Sequence, residues 1–530
     1  MSRLHASGRH RSPRVVVVGN GMAGSRLVEE IRARDPRRAL PITVFGAEVH
    51  AAYNRVLLSE VLAGRHTVDE IRLAGPAWAA DLDVDLRLGS RVVQVDRQRR
   101  QVRADDGTAI AYDRLVLATG SRVVVPDLTG LRRADGSLLP GAFLFRTVDD
   151  CREIVAAASA ARRAVVLGGG LLGLEAARGL AGRGVDTVLV HRSGHLMERQ
   201  LDAPAGRMLA ATLARLGVQV RLDARAVGVA ADGDGSAGAL LLDDGTRVPA
   251  DLLVIATGVR PDVGLARSAG LRVDAGVVVD DTLRSVTDPR VFAVGECASH
   301  DGRVYGLVAP AWEQAAVVAA HVTGADPAAR YRGSRQVTRL KAADIRVAAM
   351  GETRGDDDDP ATEVLQFSDR SRGTYKKLVL RDDRLVGAIL VGDLSTVGTV
   401  TQLFERGAGV PADRVPLLFP PRRGRDGEPA SAGPTDATVC RCNGVSKGRI
   451  QDCVLRGART VDAVARATRA TTGCGGCREL VGGIVEALAP DPVPPAGPVC
   501  TADPVCTADP VCTADPVCTA DPVPTRSASS

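Results

Sequence analysis

Aromatic residues, long apolar runs and excess charge are all scarce in this sequence. Phe, Trp and Tyr make up 3% of its 530 residues, and the formal net charge is +5. So small a charge gives no electrostatic reason to expect nucleic acid or an anionic membrane as a partner. No apolar stretch reaches the ~18 residues that a membrane-spanning helix needs. Residues 1–13 are basic without an apolar run, so they predict a flexible leader, not a secretory signal, in a cytoplasmic protein.

Cysteine is absent before Cys151, and only Cys297 follows it before residue 440. Five cysteines then lie between residues 440 and 477, and four more stand in a VCTADP repeat. Crowded thiols in a cytosolic protein indicate metal binding or redox chemistry. The repeats have no apolar periodicity, so residues 491–530 are expected to be a disordered tail, with metal scavenging as the alternative.

Glycine is abundant, with 57 residues, and two glycine-rich segments share one pattern. They read RVVVVGNGMAGSRLVEEI (14–31) and RAVVLGGGLLGLEAARGLA (163–181). Each predicts a buried strand, a glycine turn and a helix, as at the start of a parallel βαβ unit. YDRLVLATGS and DLLVIATGVRPD are a second matched pair of predicted strands. The sequence therefore predicts an α/β protein with two Rossmann-like units, the second inserted into the first.

In the first unit, three glycines occupy the positions of a dinucleotide-binding turn. Gly19 permits the turn, Gly21 lets a pyrophosphate approach, and Gly24 lets helix and strand pack closely. A glycine turn that packs a helix without any ligand is the alternative. An acid about 20 residues further on normally holds a ribose hydroxyl, and Glu48 is the candidate.

Later segments agree with a flavin site. The strand in VTDPRVFAVGECA ends in Gly295-Glu296, where a carboxylate can bind the ribityl hydroxyls of FAD. AYNRVLLSEVLAG (52–64), HLMERQLD (195–202) and YGLVAPAWEQAAVVAAHVTG (305–324) resemble the FAD- and NAD(P)-dependent pyridine nucleotide–disulfide oxidoreductase superfamily. Within it they resemble the flavoprotein half of assimilatory nitrite reductase large subunits.

This resemblance covers about residues 14–490, and it implies a set of residues around FAD. They are Gly19, Gly21, Gly24, Arg55, Thr119, Gly120, Gly295 and Glu296. It also implies that a helix starting near Pro310 covers the flavin. Related flavoproteins carry the ribose-binding acid eight residues before the arginine, a position held here by Ala47, with Glu48 beside it.

In the second unit, the phosphate-binding pattern recurs for a nicotinamide dinucleotide. Its residues are Gly168, Gly170 and Gly173, with Gly258 after the second matched strand. The resemblance implies that Glu175 reaches the nicotinamide or the flavin edge, and a helix-surface carboxylate is the alternative. The next strand ends in His191-Arg192, where an NAD-selective site usually has Asp or Glu. A basic pair favours the 2′-phosphate of NADPH, unless both side chains simply face water.

Hydride transfer to a flavin needs positioning and exclusion of water, not a protein nucleophile. Many members of the superfamily then pass electrons to a cysteine pair beside the flavin. Here Cys151 and Cys297 stand alone, as inert apolar cysteines commonly do. The electrons must therefore leave the flavin by another route.

Four cysteines in two loops offer that route. They are Cys440, Cys442, Cys474 and Cys477, separated by two predicted helices, one of them with Thr460 as its N-cap. Their arrangement resembles the BFD-like [2Fe–2S] domain, which implies two thiolates per iron. A Cys₄ zinc site is the alternative, because zinc favours Cys-x₂₋₄-Cys in both halves. Zinc would leave a reduced flavin without an electron acceptor. Cys453 is expected on the apolar side of a helix.

The predicted domains follow these motifs. They are an FAD-binding domain (14–139 and 251–330), an NAD(P)-binding domain (140–250), a small α+β domain (331–420), a linker (421–438) and a helical BFD-like [2Fe–2S] domain (439–490). Within the third, YKKLVLRDDRLVGAILVG predicts a hairpin with an Asp-Asp-Arg turn.

These features predict an NAD(P)H-dependent FAD/[2Fe–2S] oxidoreductase that passes single electrons to a separate protein. No further cysteine cluster follows residue 490 for the sirohaem and [4Fe–4S] domain of nitrite reductases. The expected acceptor is therefore the catalytic subunit of an assimilatory nitrate reductase, or else of a nitrite reductase. Alternatives are a ferredoxin or rubredoxin reductase, an NAD(P)H oxidase, and a non-enzymatic redox sensor or iron-handling module.

Overall fold

The run of four valines forms strand β1, Val15–Val18, at the centre of the first sheet. A computed structural model describes residues 12–340, 345–354, 361–420, 434–440, 443–471 and 477–488. Most of the predicted leader, most of the linker and the repeat tail lie outside these residues. Within the described part, no helix is long and apolar enough to cross a membrane.

The first sheet contains five parallel strands in the order β19-β7-β1-β2-β3. Because helices cover both faces of such a sheet, β1 is buried along its whole length and reads as a continuous apolar run. The strands are β2 Ile42–Gly46, β3 Val84–Leu88, β7 Arg114–Leu117 and β19 Val291–Ala293; the helices are α1 Met22–Arg34, α3 Trp78–Asp81, α7 Gly264–Ser268 and α8 Val308–Thr323. Helix α2, Leu58–Leu62, belongs to this stretch of the chain but packs into the core of the second unit.

Smaller strands and two 3₁₀ turns complete this unit. They are β4 Val92–Asp96, β5 Gln101–Ala104 and β6 Ala109–Ala111 in one antiparallel sheet, the pairs β8 Ser121–Val123 with β17 Val259–Pro261 and β18 Val277–Val279 with β20 Ala298–His300, and the 3₁₀ turns Arg55–Leu57 and Gly295–Cys297. The β8–β17 pair lies where the chain leaves the first unit and returns to it.

The second sheet repeats the architecture, with strand order β12-β11-β10-β16-β9. Its elements are β9 Ala142–Leu144, α4 Val148–Ala158, β10 Arg163–Leu167, α5 Leu171–Gly182, β11 Asp186–Val190, α6 Ala203–Arg215, β12 Val218–Arg221 and β16 Leu252–Ile255, with β13 Ala226–Ala231, β14 Ala237–Leu242 and β15 Arg247–Pro249 in an antiparallel sheet beside it. The predicted boundary at residue 251 put β16 in the first unit. The structure pairs it with β10 instead, so the first unit resumes after Ile255.

The third domain is a five-stranded antiparallel sheet covered by a helix, as its alternating patterns predict. Its elements are β21 Val337–Leu340, β22 Val347–Gly351, β23 Glu363–Asp369, β24 Thr374–Arg381, β25 Arg384–Val391, α9 Val397–Arg406 and α10 Val415–Leu418. Asp382 and Asp383, both with positive φ (49° and 54°), form the turn between β24 and β25. Two such residues in a row make the tight turn that suits the twist of a hairpin.

The fourth domain begins with β26 Thr438–Cys440, so its first strand starts inside the predicted linker. Its other elements are β27 Val445–Ser446, α11 Lys447–Leu455, α12 Val461–Thr468 and α13 Arg478–Leu488. Ser446 and Thr460 cap α11 and α12, each accepting a backbone N–H with its hydroxyl. Cys453 packs at the edge of the small core that these helices enclose.

Candidate dinucleotide and cluster sites

Two glycines in each dinucleotide loop are required by the packing of the protein itself. A Cβ added at Gly19, whose φ is +117°, would lie 2.1 Å from the carbonyl oxygen of Ala118. A Cβ at Gly24 would lie 1.9 Å from the Gly19 oxygen. Gly168 (φ +122°) and Gly173 make the corresponding close approaches in the second unit. These contacts bring helix and strand together at the carboxyl end of each sheet, where α/β proteins bind their ligands.

The middle glycine of each loop has a different role. An added Cβ at Gly21 would meet its nearest atom, Nε of Arg55, only at 4.0 Å, and one at Gly170 would meet nothing within 4 Å. The packing of the chain therefore does not demand glycine at either position. Gly21 and Gly170 are the N-cap residues of α1 and α5, and neither helix has a side-chain cap. The N–H groups at these helix N-termini have no side-chain cap, and no protein atom crowds the two glycines. Such sites suit the pyrophosphates of FAD and of NAD(P)H.

Beside Gly21, Glu48 is held by two neighbours. The Tyr53 hydroxyl donates to Glu48 Oε2 at 2.7 Å, and the Arg55 guanidinium pairs with Oε1. The same hydroxyl accepts the N–H of Val148, which joins the first unit to the start of α4. Burial raises the pKa of Tyr53, so it stays a neutral donor. The role of Glu48 as the ribose-binding acid stays a prediction.

Glu296 lies at the centre of a second polar group. Its Oε2 accepts hydrogen bonds from Ser121 Oγ at 2.5 Å and from Arg146 Nη2 at 2.7 Å. The backbone N–H of the adjacent Gly295 donates to Oε1 of Gln314, which is buried on α8. Sequence reasoning did not find Ser121, Arg146 or Gln314. One available signal was the capping box that begins at Thr147, directly after Arg146.

The two Ala-Thr-Gly segments end equivalent strands, β7 and β16. Thr119 Oγ1 donates to the carbonyl of Asp262 at 2.7 Å, and Gly120 (φ +70°) accepts the N–H of the same residue at 2.8 Å. Gly258 (φ +106°) accepts the N–H of Val124 at 2.9 Å. The carbonyl groups of both predicted glycines therefore hydrogen-bond at the β8–β17 pair, where the chain passes between the two units that are predicted to bind dinucleotides.

His191 and Arg192 separate into two environments. The His191 ring is buried, and its Nδ1 accepts the N–H of Gly169 at 3.0 Å while Nε2 lies 3.0 Å from Glu198 Oε2. An Nδ1 that accepts leaves the proton on Nε2, which donates to the carboxylate. Arg192 is exposed and is the member of the pair that stays available to a 2′-phosphate. Glu175 is partly buried on α5.

The isolated cysteines are buried thiols. Burial raises the pKa of Cys151 to about 11 and also raises the pKa of Cys297. Each sulfur donates to backbone carbonyls: Cys151 to Leu58, and Cys297 to Leu117 and Val294. Protonated thiols are poor nucleophiles, so neither residue has the character of a redox-active cysteine.

The cysteine domain brings two of the four predicted ligands into its core. Cys440 and Cys477 are 1% and 4% exposed, whereas Cys442 and Cys474 lie outside the described residues, and the four-cysteine ligand set stays a prediction. Asn443, which the sequence did not indicate, places its amide Nδ2 3.7 Å from the Cys440 sulfur. An N–H donor beside a thiolate suits an iron–sulfur site, whose potential depends on such hydrogen bonds.

Two dinucleotide folds that meet at a polar junction, followed by a cysteine-bearing helical domain, define an oxidoreductase that uses a flavin and a nicotinamide. The chain belongs to the pyridine nucleotide-disulphide oxidoreductase family, whose model matches residues 13–315. Residues 337–408 match the rubredoxin NAD+ reductase C-terminal domain, and residues 438–487 match the BFD-like [2Fe-2S] binding domain. Its cofactors are accordingly FAD, NAD(P)H and a [2Fe–2S] cluster, as the sequence predicts.

Two curated relatives come from Bacillus subtilis (strain 168). The assimilatory nitrate reductase electron transfer subunit is 37% identical over 472 residues, which cover 89% of this chain and 59% of that protein. Nitrite reductase [NAD(P)H] is 38% identical over 476 residues, which cover 89% of this chain and 57% of that protein. The chain thus spans less than two thirds of the length of both relatives.

Two solved structures share the fold of the first three domains. The putidaredoxin reductase–putidaredoxin complex has a TM-score of 0.69 and 27% identity over 77% of this chain and 97% of that one. A ferredoxin reductase from Rhodopseudomonas palustris has a TM-score of 0.68 and 26% identity over 75% and 96% of the two chains.

Proposed function

We propose that this chain takes a hydride from NAD(P)H and delivers single electrons to a separate protein, the catalytic subunit of an assimilatory nitrate or nitrite reductase. The observation that carries the proposal is the 37% identity to a nitrate reductase electron transfer subunit along 89% of this chain. That alignment is long enough to include flavoprotein and cysteine domains together, and it supports a joint role for them.

The residues of the chain support each part of this role. The N-termini of α1 and α5, entered through Gly21 and Gly170, would hold the two pyrophosphates. Bound FAD supplies the change from a two-electron to a one-electron reaction. Since Cys151 and Cys297 are buried and protonated, the cysteine domain is the acceptor that the sequence provides. Arg192 favours NADPH over NADH.

The proposed setting is the cytoplasm. Cytosolic conditions keep thiols reduced, and a [2Fe–2S] cluster needs thiolate ligands.

Anaerobic titration with NADPH and with NADH tests the proposal. Visible spectra should show rapid bleaching of the flavin, and EPR spectra should then show a reduced [2Fe–2S] signal. Adding a nitrate reductase catalytic subunit should make NAD(P)H oxidation depend on nitrate. Colourless protein, bound zinc in place of iron, or a cluster that a reduced flavin cannot reduce would contradict the proposal. The last result would favour the redox sensor.

A ferredoxin or rubredoxin reductase is the second candidate. The match of residues 337–408 to a rubredoxin reductase domain favours it, as does the likeness to the structures of a ferredoxin reductase and a putidaredoxin reductase. Reduction of added ferredoxin or rubredoxin that is faster than nitrate-dependent turnover, measured with the same preparation, would select it.

A further inference from the structure

A single arginine joins the cysteine domain to the flavin half of the chain. Arg469, at the end of α12, donates from its guanidinium to the carbonyl of Leu73. Its Nη1 also lies 3.8 Å from Oε1 of Glu29 on α1. Because the N-terminus of α1 is the phosphate-binding end of the flavin unit, this contact reaches the helix on which FAD would rest.

Glu29 is arranged by its own domain before Arg469 reaches it. Nε1 of Trp78 donates to Glu29 Oε1 at 3.2 Å, and Arg26 Nη1 lies 3.9 Å from Oε2. The Arg26 guanidinium in turn lies 5.2 Å from the centre of the Trp312 ring on α8. Side chains from α1, α3 and α8 thus present a fixed carboxylate to the cysteine domain.

On its other side, Arg469 is tied to a predicted cluster ligand. The Asn443 amide donates to the backbone carbonyl of Arg469 and also lies 3.7 Å from the Cys440 sulfur. Asn443 is 8% exposed, so this amide is shielded from water. Arg469 itself has a φ of +62°, the left-handed conformation in which α12 ends.

The two domains enclose a cleft of about 310 Å³ beside these contacts. Met22, the first residue of α1, and Trp312 of α8 line one side, and Asn443 and Thr468 line the other. The face of the cysteine domain that carries Asn443 is therefore the face turned toward the flavin unit.

We propose that Asn443 and Arg469 are positioning residues that hold Cys440 and the end of α12 against the flavin half, so that electrons cross between the domains of one chain. Arg469 fixes the separation, and Asn443 transmits that position to Cys440 while its N–H offsets negative charge on the sulfur. The inference rests on the proposed function. For each NAD(P)H oxidised to NAD(P)⁺, two electrons leave singly to the acceptor protein and one proton is released.

Arg469→Asn is the first test, because asparagine tolerates the left-handed backbone but cannot reach Leu73 or Glu29. In stopped-flow experiments on the full-length holoprotein, flavin bleaching by NADPH should keep its rate. Cluster reduction should slow at least tenfold. The matched control Arg459→Asn removes one exposed charge on the turn before α12 and should leave both rates within twofold.

Asn443→Asp keeps the shape of the side chain but replaces its N–H donor with oxygen. The cluster's reduction potential should become more negative, and its EPR g-values should shift. Arg469→Asn should slow electron transfer without shifting the potential. A merely structural role for both residues would move the two readouts together, and that result would overturn the inference.

Glu29→Gln tests the contact from the flavin side without touching the cluster loop. Its amide oxygen can still accept from Trp78, so folding should persist while cluster reduction slows severalfold. Wild-type rates of cluster reduction in both Arg469→Asn and Glu29→Gln would refute the proposed role of the contact between the two domains. If the wild-type cluster is not reduced by NAD(P)H at all, the proposed function fails instead, so the two failures are distinguishable.

Discussion

Arg146, just beyond the end of β9 in the second unit, pairs with Glu296 of the first unit at 2.7 Å. The pair is partly buried, and Ser121 shares the same carboxylate oxygen. Through this contact a residue of the nicotinamide half fixes the acid predicted to bind the flavin ribityl chain.

Arg146→Met should therefore weaken FAD binding. Loss of a hydrogen-bonded partner at this partly buried carboxylate should cost about 1–1.5 kcal/mol, or roughly tenfold in affinity. Fluorescence of released flavin under dilution measures the change. Arg152→Met is the control, since Arg152 pairs with Asp149 on the exposed face of α4. Equal flavin retention in both variants would show that the pair does not support the site.

Gly170→Ala should raise the KM for NAD(P)H by about tenfold or more while leaving thermal stability and FAD content intact. Its Cβ meets no protein atom, so the clash falls on the pyrophosphate. Gly168→Ala is the contrasting variant, because its Cβ would lie 2.3 Å from the Ala256 oxygen and should destabilise the fold itself. Steady-state kinetics and thermal melting separate the two. An unchanged KM in Gly170→Ala would exclude the nucleotide from this loop.

Arg192→Ala should raise the KM for NADPH about tenfold and alter that for NADH little. An exposed guanidinium can pair with a 2′-phosphate, and a charged hydrogen bond of this kind contributes ~1.5–3 kcal/mol. His191 is already engaged by Gly169 and Glu198, so His191→Asn should affect both nucleotides alike. Equal effects of Arg192→Ala on NADPH and NADH would remove the case for NADPH preference.

Cys151 should resist alkylation in the native protein at pH 8. With a pKa raised to about 11, its thiolate fraction there is on the order of 0.1%, against about a quarter for an unperturbed thiol. The fraction rises tenfold per pH unit up to about pH 11, so labelling should increase steeply with pH. Mass spectrometry of iodoacetamide-treated protein, with Cys453 as the internal comparison, measures this. Rapid labelling of Cys151 at pH 8 would mean that the site opens readily.

Cys442→Ser should abolish the [2Fe–2S] EPR signal while flavin reduction by NAD(P)H continues at its normal rate. Removal of one thiolate ligand leaves the cluster incompletely held. Cys453→Ser, in the same small domain, should keep the signal, because Cys453 lies at the edge of the core on α11. Iron analysis accompanies both variants. A cluster that survives in Cys442→Ser would show that this residue is not a ligand.

Much of the architecture could be predicted because its signals are local. The valine run of β1 and its glycine turn determine strand, loop and helix within about twenty residues of the sequence. The hairpin between β24 and β25 and the Thr460 cap are equally local, and both predictions are confirmed, although Arg384 of the predicted Asp-Asp-Arg turn already belongs to β25.

What sequence reasoning missed depends on long-range contacts. β16 ends in the same Ala-Thr-Gly as β7, but its sheet is decided by pairing with β10, nearly ninety positions earlier. Arg146 reaches Glu296 across 150 positions. In the sequence VCRCNGV, Asn443 is an ordinary polar residue, and its role depends on the hydrogen bond from its amide to the carbonyl of Arg469. A single sequence does not indicate which distant residues will be brought into contact in this way.

Tyr375 of β24 donates to Asp202 Oδ2 at 2.6 Å, and Oδ1 of the same aspartate caps α6. Val347, Ile389 and Val391 of the third domain share one apolar core with α4, α5 and α6 of the nicotinamide unit. A chain cut at residue 330 would therefore lose part of the apolar core of the nicotinamide unit as well as the third domain. It would expose the apolar surface of α4, α5 and α6 to water. A shortened NAD(P)H oxidoreductase made from this protein must therefore keep residues up to about 420.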